Sequence, residues 1–217
     1  IFDAHVHIWD KSSFPENFSF PELSWTKAFN EEFTLQDWRI AMKELLPEQK
    51  VELLCFGMPD NAADRTEIVS PAPDEGYASV LISPEDSLEK LDKGIQKSNA
   101  VGVKPYLNYA ADFYKKKLAD LEVKDLITKE QLQYLNKKKL AVTMHIPRSL
   151  RFADELNKKQ MLELCLTYPD ISFIFVYIGR AYYMRNIEQS NLPELAECKN
   201  AFFDPAMLPF LAQSVMK

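Results

Sequence analysis

The feature that most constrains this chain is an alternation. Short apolar runs give way to amphipathic stretches and return, from one end of the sequence to the other. That pattern belongs to βα units, in which strands pair in parallel and the intervening helices cover the sheet. Runs at Ile1–Ile8, Val51–Phe56, Tyr77–Ile82, Val101–Leu107, Leu140–His145, Phe173–Tyr177 and Ala201–Phe203 read as strands. Helices are expected at Thr34–Leu46, with Thr34 as N-cap and Asp37 three residues on, and at Ser83–Lys97, capped by Ser83 and entered through Pro84. Three more are expected at Thr128–Lys138, around Asn157–Thr167 and at Ala206–Met216. An aromatic, proline-bearing loop fills Ser12–Phe33, and a charged insertion follows the fourth strand as far as Ile127.

A closed barrel of parallel βα units needs eight strands, and seven are legible. The expected fold is therefore α/β, a (β/α)8 TIM-type barrel whose eighth βα unit lies outside this sequence. The 217 residues, 47% hydrophobic, suit one domain over 1–217, incomplete at its C-terminus. Met58–Gly76 is a tight crossover, and residues are expected to be missing there. The sequence opens on Ile1 inside a strand pattern, so a preceding segment is expected and targeting stays open.

A net charge of −6 and a pI near 5.2 argue against nucleic acid or an anionic membrane as partner. The lysine clusters Lys115–Lys117 and Lys137–Lys139 sit among acids and read as solvated helix faces. No apolar run approaches the ~20 residues of a membrane span. Cys55, Cys165 and Cys198 are odd in number and form no CxxC pair, which suits reduced thiols in a cytoplasmic protein. A small-molecule substrate is the expected partner, with homo-oligomer formation left open.

The chain has three histidines. His5 and His7 are two apart on the first strand and so share a face, together with Asp3. A row of Asp, His, His in an otherwise apolar strand is a poor packing solution, because buried imidazoles need partners. A divalent metal supplies one, since neutral imidazole is a good ligand for zinc and its neighbours. His145 ends the fifth strand, at the strand end where barrels of this type keep their chemistry. Satisfied core histidines remain the plain alternative.

The stretch Asp3-Ala-His-Val-His-Ile-Trp-Asp10 resembles the opening strand of the amidohydrolase superfamily, in the branch that includes lactonases and decarboxylases. Gly102-Val-Lys104, Met144-His-Ile-Pro-Arg148 and Ile178-Gly-Arg180 support the resemblance in order along the chain. It implies one divalent ion, zinc in the first instance and manganese next, with His5, His7 and His145 as ligands. It further implies an eighth-strand aspartate that this sequence does not contain. Where the family commonly places a histidine at the end of the sixth strand, this chain has Tyr177. Tyr177 shares strand parity with Phe173 and Phe175 and is expected to border the site as a hydrogen-bond donor or acid–base group, or else to be a core aromatic.

Lys104 stands where binuclear relatives carry a bridging carboxylated lysine, but a buried or substrate-facing amine is the expectation here. Asp204 comes one strand too early to be the missing ligand. Arg148 and Arg180 follow strand ends, where their guanidinium forks suit substrate carboxylates or loop salt bridges equally. Trp9, Trp25 and the aromatic loop would wall the pocket or pack over the barrel mouth. The functional expectation is a metal-dependent hydrolase of a small, carboxylate-bearing ester, lactone or amide. The alternatives are a non-oxidative decarboxylase and a barrel that binds metal or ligand without turnover.

Overall fold

A computed structural model of the chain describes residues 1–9, 32–58 and 70–206. The expected Ala206–Met216 helix, most of the Ser12–Phe33 loop with Trp25, and the centre of the Met58–Gly76 crossover lie outside those residues. The chain divides into two compact units, Ile1–Leu81 with Gly94–Ala100, and Ile82–Lys93 with Val101–Lys217.

The first unit carries β1 (Phe2–His7), β2 (Glu52–Phe56) and β3 (Gly76–Ile82), paired in parallel in chain order. Leu53, Leu54, Cys55 and Phe56 of β2 are all buried, as expected of a parallel strand covered on both faces. Gly76, at the start of β3, has φ 148°, and a Cβ there would run into the Leu53 backbone, so no other residue fits. β1 is less regular than its sequence suggests. Asp3 pairs with Leu53 and Val6 with Cys55, so three steps of β1 match two of β2 and a bulge lies between them. The uninterrupted alternation expected from Asp3 through His7 is broken at that bulge.

Helix α1 (Leu35–Leu45) starts as its sequence predicts. The Thr34 hydroxyl accepts the Asp37 N–H, and the Asp37 carboxylate accepts the Thr34 N–H at 2.7 Å. That cap seats Leu35 and Trp38 in the interior. Trp9 bridges to Phe33 in antiparallel fashion, with ring centroids 5.6 Å apart.

The second unit carries β4 (Gly102–Pro105), β5 (Ala141–Met144), β6 (Ser172–Phe175) and β7 (Ala201–Phe203), again parallel and in chain order. Helix α2 (Leu88–Lys97) is divided between the units. It begins five residues later than Ser83. Asp86 closes a turn instead, its carboxylate accepting the Ser83 N–H at 2.7 Å while its own N–H donates to the Ser83 carbonyl at 3.1 Å. Pro at the second position suits such a turn as well as a helix start. The Gln131 side chain decides between them by donating to the Ser83 and Asp86 carbonyls at 2.9 and 3.0 Å. The Ser87 hydroxyl then accepts the Lys90 N–H at 3.2 Å and opens α2.

The charged insertion after β4 is built from short helical segments. Helix α3 (Leu107–Tyr114) ends at Lys115, whose φ is 53°, and 3₁₀ turns at Leu118–Asp120 and Val123–Asp125 follow. Leu121, Val123, Leu126 and Ile127 are buried, so charge on the surface hid an apolar inner face. Lys115 and Lys139 terminate α3 and α4 (Lys129–Lys138) in the left-handed conformation, and Lys116 pairs with Asp125 at 2.7 Å. Helix α5 (Glu155–Thr167) begins two residues before Asn157, because Asp154 caps it by accepting the Leu156 and Asn157 N–H groups at 3.1 and 3.3 Å. Short helices α6 (Met184–Glu188) and α7 (Leu192–Ala196) lead into β7.

Candidate functional site

In the first unit the site residues are His5 and His7 of β1. Their ring centroids lie 5.5 Å apart, so the two imidazoles sit side by side although the strand is bulged. Phe56 packs edge-on against both, at 5.1 and 4.6 Å. His7 Nδ1 lies 3.0 Å from the Gly57 carbonyl. A carbonyl can only accept, so this contact selects the tautomer with the proton on Nδ1 and leaves the lone pair on Nε2. Backbone carbonyls orient metal-binding histidines in the same way. Two neighbouring imidazoles, one with Nδ1 held by a backbone carbonyl, fit the ligand preferences of a divalent ion such as zinc, which binds the neutral ring. Within each unit, the described residues form no group of three or more His, Cys, Asp or Glu that would hold an ion unaided.

The second unit assembles a different centre. His145 follows β5 and lies between Tyr106 and Tyr177, at ring-centroid distances of 5.3 and 5.5 Å. The Lys104 ammonium position is 5.3 Å from the centre of the Tyr106 ring, and the side chain is wholly buried. Burial drives its amine well below the usual lysine range, and the negative charge of Asp204 opposes that drop only in part. Asp204 is itself buried just after β7. Its carboxylate accepts the Ala206 N–H at 2.7 Å, and its carbonyl accepts the Ile178 N–H at 2.9 Å.

Tyr177 is not the last residue of β6. That strand stops at Phe175, and Tyr177–Arg180 form a left-handed turn with φ values of 56°, 50°, 65° and 56°. Strand parity with Phe173 and Phe175 therefore does not set its direction; the turn does. For non-glycine residues such a conformation costs about 1–2 kcal/mol each, and strain of this kind collects at functional sites. Glycine is required at position 179, where a Cβ would approach the Phe152 ring to 2.8 Å. Burial pushes the Tyr177 phenol above the usual tyrosine range, with Tyr182 and Asp204 adding and Arg180 opposing. Its hydroxyl keeps its proton at neutral pH.

Arg148 and Arg180 are both engaged. Arg148, at φ 62°, donates from Nε to the capping carboxylate of Asp154 at 2.9 Å. Arg180 donates from Nη1 to the carbonyl of Ile146, next to His145, at 3.0 Å. Arg180 and Arg151 both lie near the Tyr182 ring, at 5.9 and 4.4 Å. Burial first, and then the like charge of Arg180, depress the Arg151 guanidinium below its usual range. Sequence reasoning did not single out Arg151, Tyr182 or Tyr106. No spacing signal marks them, because Arg151 sits in a 3₁₀ turn and the tyrosines flank strand or turn ends.

No family model and no curated protein sequence matches this chain. Solved structures do. A probable 2-pyrone-4,6-dicarboxylic acid hydrolase of Acinetobacter baumannii, with citric acid bound, superposes at TM-score 0.57 and 14% identity over 99% of this chain and 77% of its own. An uncharacterised TIM-barrel protein of Bordetella bronchiseptica gives 0.53 and 11% over 84% of this chain and 64% of its own. Amidohydrolase 2 of Bifidobacterium longum subsp. infantis gives 0.50 and 15% over 99% and 79%. At such identities the likeness is one of fold. The chain has the architecture of a TIM-type barrel, with seven of its strands in the described residues.

Proposed function

We propose that this chain is a metal-dependent hydrolase that opens a small, carboxylate-bearing ester, lactone or amide. The observation that carries the proposal is the His5–His7 pair, with the Gly57 carbonyl beside His7 Nδ1 favouring the proton there and so making Nε2 the basic nitrogen. His5 and His7 are assigned as ligands of one divalent ion, zinc first and manganese next, with His145 as the third imidazole. Such an ion lowers the pKa of water and polarises a substrate carbonyl.

The chain's own residues do the rest. Tyr177, with its phenol protonated, donates a hydrogen bond to the substrate and is not a ligand, since a neutral phenol binds zinc poorly beside imidazole. Arg180, fixed on the Ile146 carbonyl, retains further N–H donors for a carboxylate. Arg148 is anchored at Asp154 through Nε, which leaves its terminal nitrogens for the same purpose. The A. baumannii structure of the same fold is described as acting on a dicarboxylic acid and holds citric acid, which supports the carboxylate-bearing substrate class.

Elemental analysis of the purified protein tests the metal first, and a panel of lactones and esters, including 2-pyrone-4,6-dicarboxylate, tests the reaction. The expected result is one divalent ion per chain, with turnover lost on chelation and restored by zinc. Turnover that survives complete removal of metal overturns the proposal.

A further inference from the structure

We propose that Arg151 and Arg180, both set against the ring of Tyr182, form a subsite that selects a ligand bearing two carboxylates, with Arg151 as the specificity-determining residue. The guanidinium carbons of Arg151 and Arg180 lie 4.4 and 5.9 Å from the centre of that one ring. Two cations gathered in one place favour a bound anion, and no carboxylate among the described residues pairs with either. Arg148 shows the contrast. Three positions before Arg151, its Nε meets the Asp154 carboxylate at 2.9 Å. Arg180 donates to a neutral group, the Ile146 carbonyl, at 3.0 Å. Burial and then Arg180 act against the charge of Arg151, and only the Tyr182 and Tyr183 phenols favour it. A monocarboxylate would answer one of the two cations, whereas a dicarboxylate answers both.

The surrounding structure fixes where Arg151 stands. It opens the 3₁₀ turn Arg151–Ala153, half-buried itself, with Phe152 and Ala153 buried behind it. The buried Asn157 side chain of α5 donates to the Arg151 carbonyl at 2.8 Å. The buried Asn186 side chain of α6 donates to the Leu150 carbonyl at 3.4 Å. The peptide groups on both sides of Arg151 are thus tied to two helices. They hold it at φ 53°, a left-handed conformation that glycine accepts and a side chain resists. A long cation kept at such a position points to a use for the side chain itself. The Tyr182 ring centre lies 6.0 Å from that of Tyr177, which lies 5.5 Å from that of His145. The two cations therefore adjoin the His145 centre, where they can hold the far end of a small ligand. That the ligand is a substrate rests on the hydrolase reading above; its binding here requires no metal.

The test is titration calorimetry of the purified chain, as isolated and after chelation, with succinate, glutarate and butyrate. The tighter of the two dicarboxylates should bind in both states, at least tenfold more tightly than butyrate. Arg151→Gly removes the guanidinium at a position where glycine suits the backbone, so melting should stay close to wild type. Dicarboxylate affinity should nevertheless fall about tenfold to a hundredfold, with little change for butyrate. Arg151→Gln should lose as much, and Arg151→Lys, which keeps the charge without the fork, should fall between. Wild-type dicarboxylate affinity in Arg151→Gly overturns the proposal. So does equal binding of butyrate by the wild-type chain, binding that vanishes on chelation, or no dicarboxylate heat at millimolar concentration. A chain that holds no metal or shows no turnover would sink the hydrolase reading, and the calorimetry would still decide the subsite.

Discussion

The histidine strand of the first unit and the Lys104–His145–Tyr177 centre of the second are built in opposite ways. In β1 the chemistry lies within a strand, and two-residue spacing brings His5 and His7 together despite the bulge. In the second unit the reactive groups sit at or beyond strand ends. They are held by turns in which Arg148, Arg151, Tyr177, Ile178 and Arg180 all have positive φ. The first region places groups by periodicity. The second places them by strain that the surrounding packing must sustain, which predicts different responses to mutation.

The largest effect is expected from His5→Ala and His7→Ala. Each should abolish bound metal and turnover while circular dichroism and melting stay close to wild type, because residues at the active end of a barrel serve function more than stability. Unchanged metal content in both variants would break the comparison at its functional side.

Lys104→Met comes next and probes the buried amine. Its folded-state pKa is depressed below the unfolded value, so the unfolded chain binds more protons between the two. Lys104 therefore costs most stability below its folded pKa, and that cost is relieved as pH rises toward ~10.4, the unfolded value. Urea unfolding of both proteins across this range should give a wild-type minus variant difference that rises with pH. A flat or falling difference would mean that Asp204 holds Lys104 charged.

Gly179→Ala sharpens the strained side. The added methyl meets the Phe152 ring and occupies a left-handed backbone, so a loss of about 2 kcal/mol in urea unfolding is expected. Asp154→Ala should cost about 1–2 kcal/mol through the lost α5 cap and should also free Arg148. Asp154→Asn should keep most of the cap yet release the Arg148 guanidinium. A higher KM in that variant, with stability nearly unchanged, would tie Arg148 to substrate binding.

Much of the fold was written in the sequence. The apolar runs of β1, β2, β3, β5 and β7 match the strands closely, the Thr34–Asp37 pair marks α1 as predicted, and α4 lies within the expected Thr128–Lys138. The strands depend on local periodicity and the α1 cap on hydrogen bonds three residues apart, which a single sequence records. The HxH pair is legible for the same reason. Tertiary structure decided the remainder. Gln131, 48 residues beyond Ser83, turned a plausible helix start into a turn. Packing on Phe152 and the Asp204 carbonyl bent Tyr177 out of its strand into the left-handed region. Burial of Lys104 near Asp204, 100 residues away in sequence, set the character of the amine. Desolvation and long-range charge are properties of the assembled interior, and neighbouring residues along a chain carry no record of them.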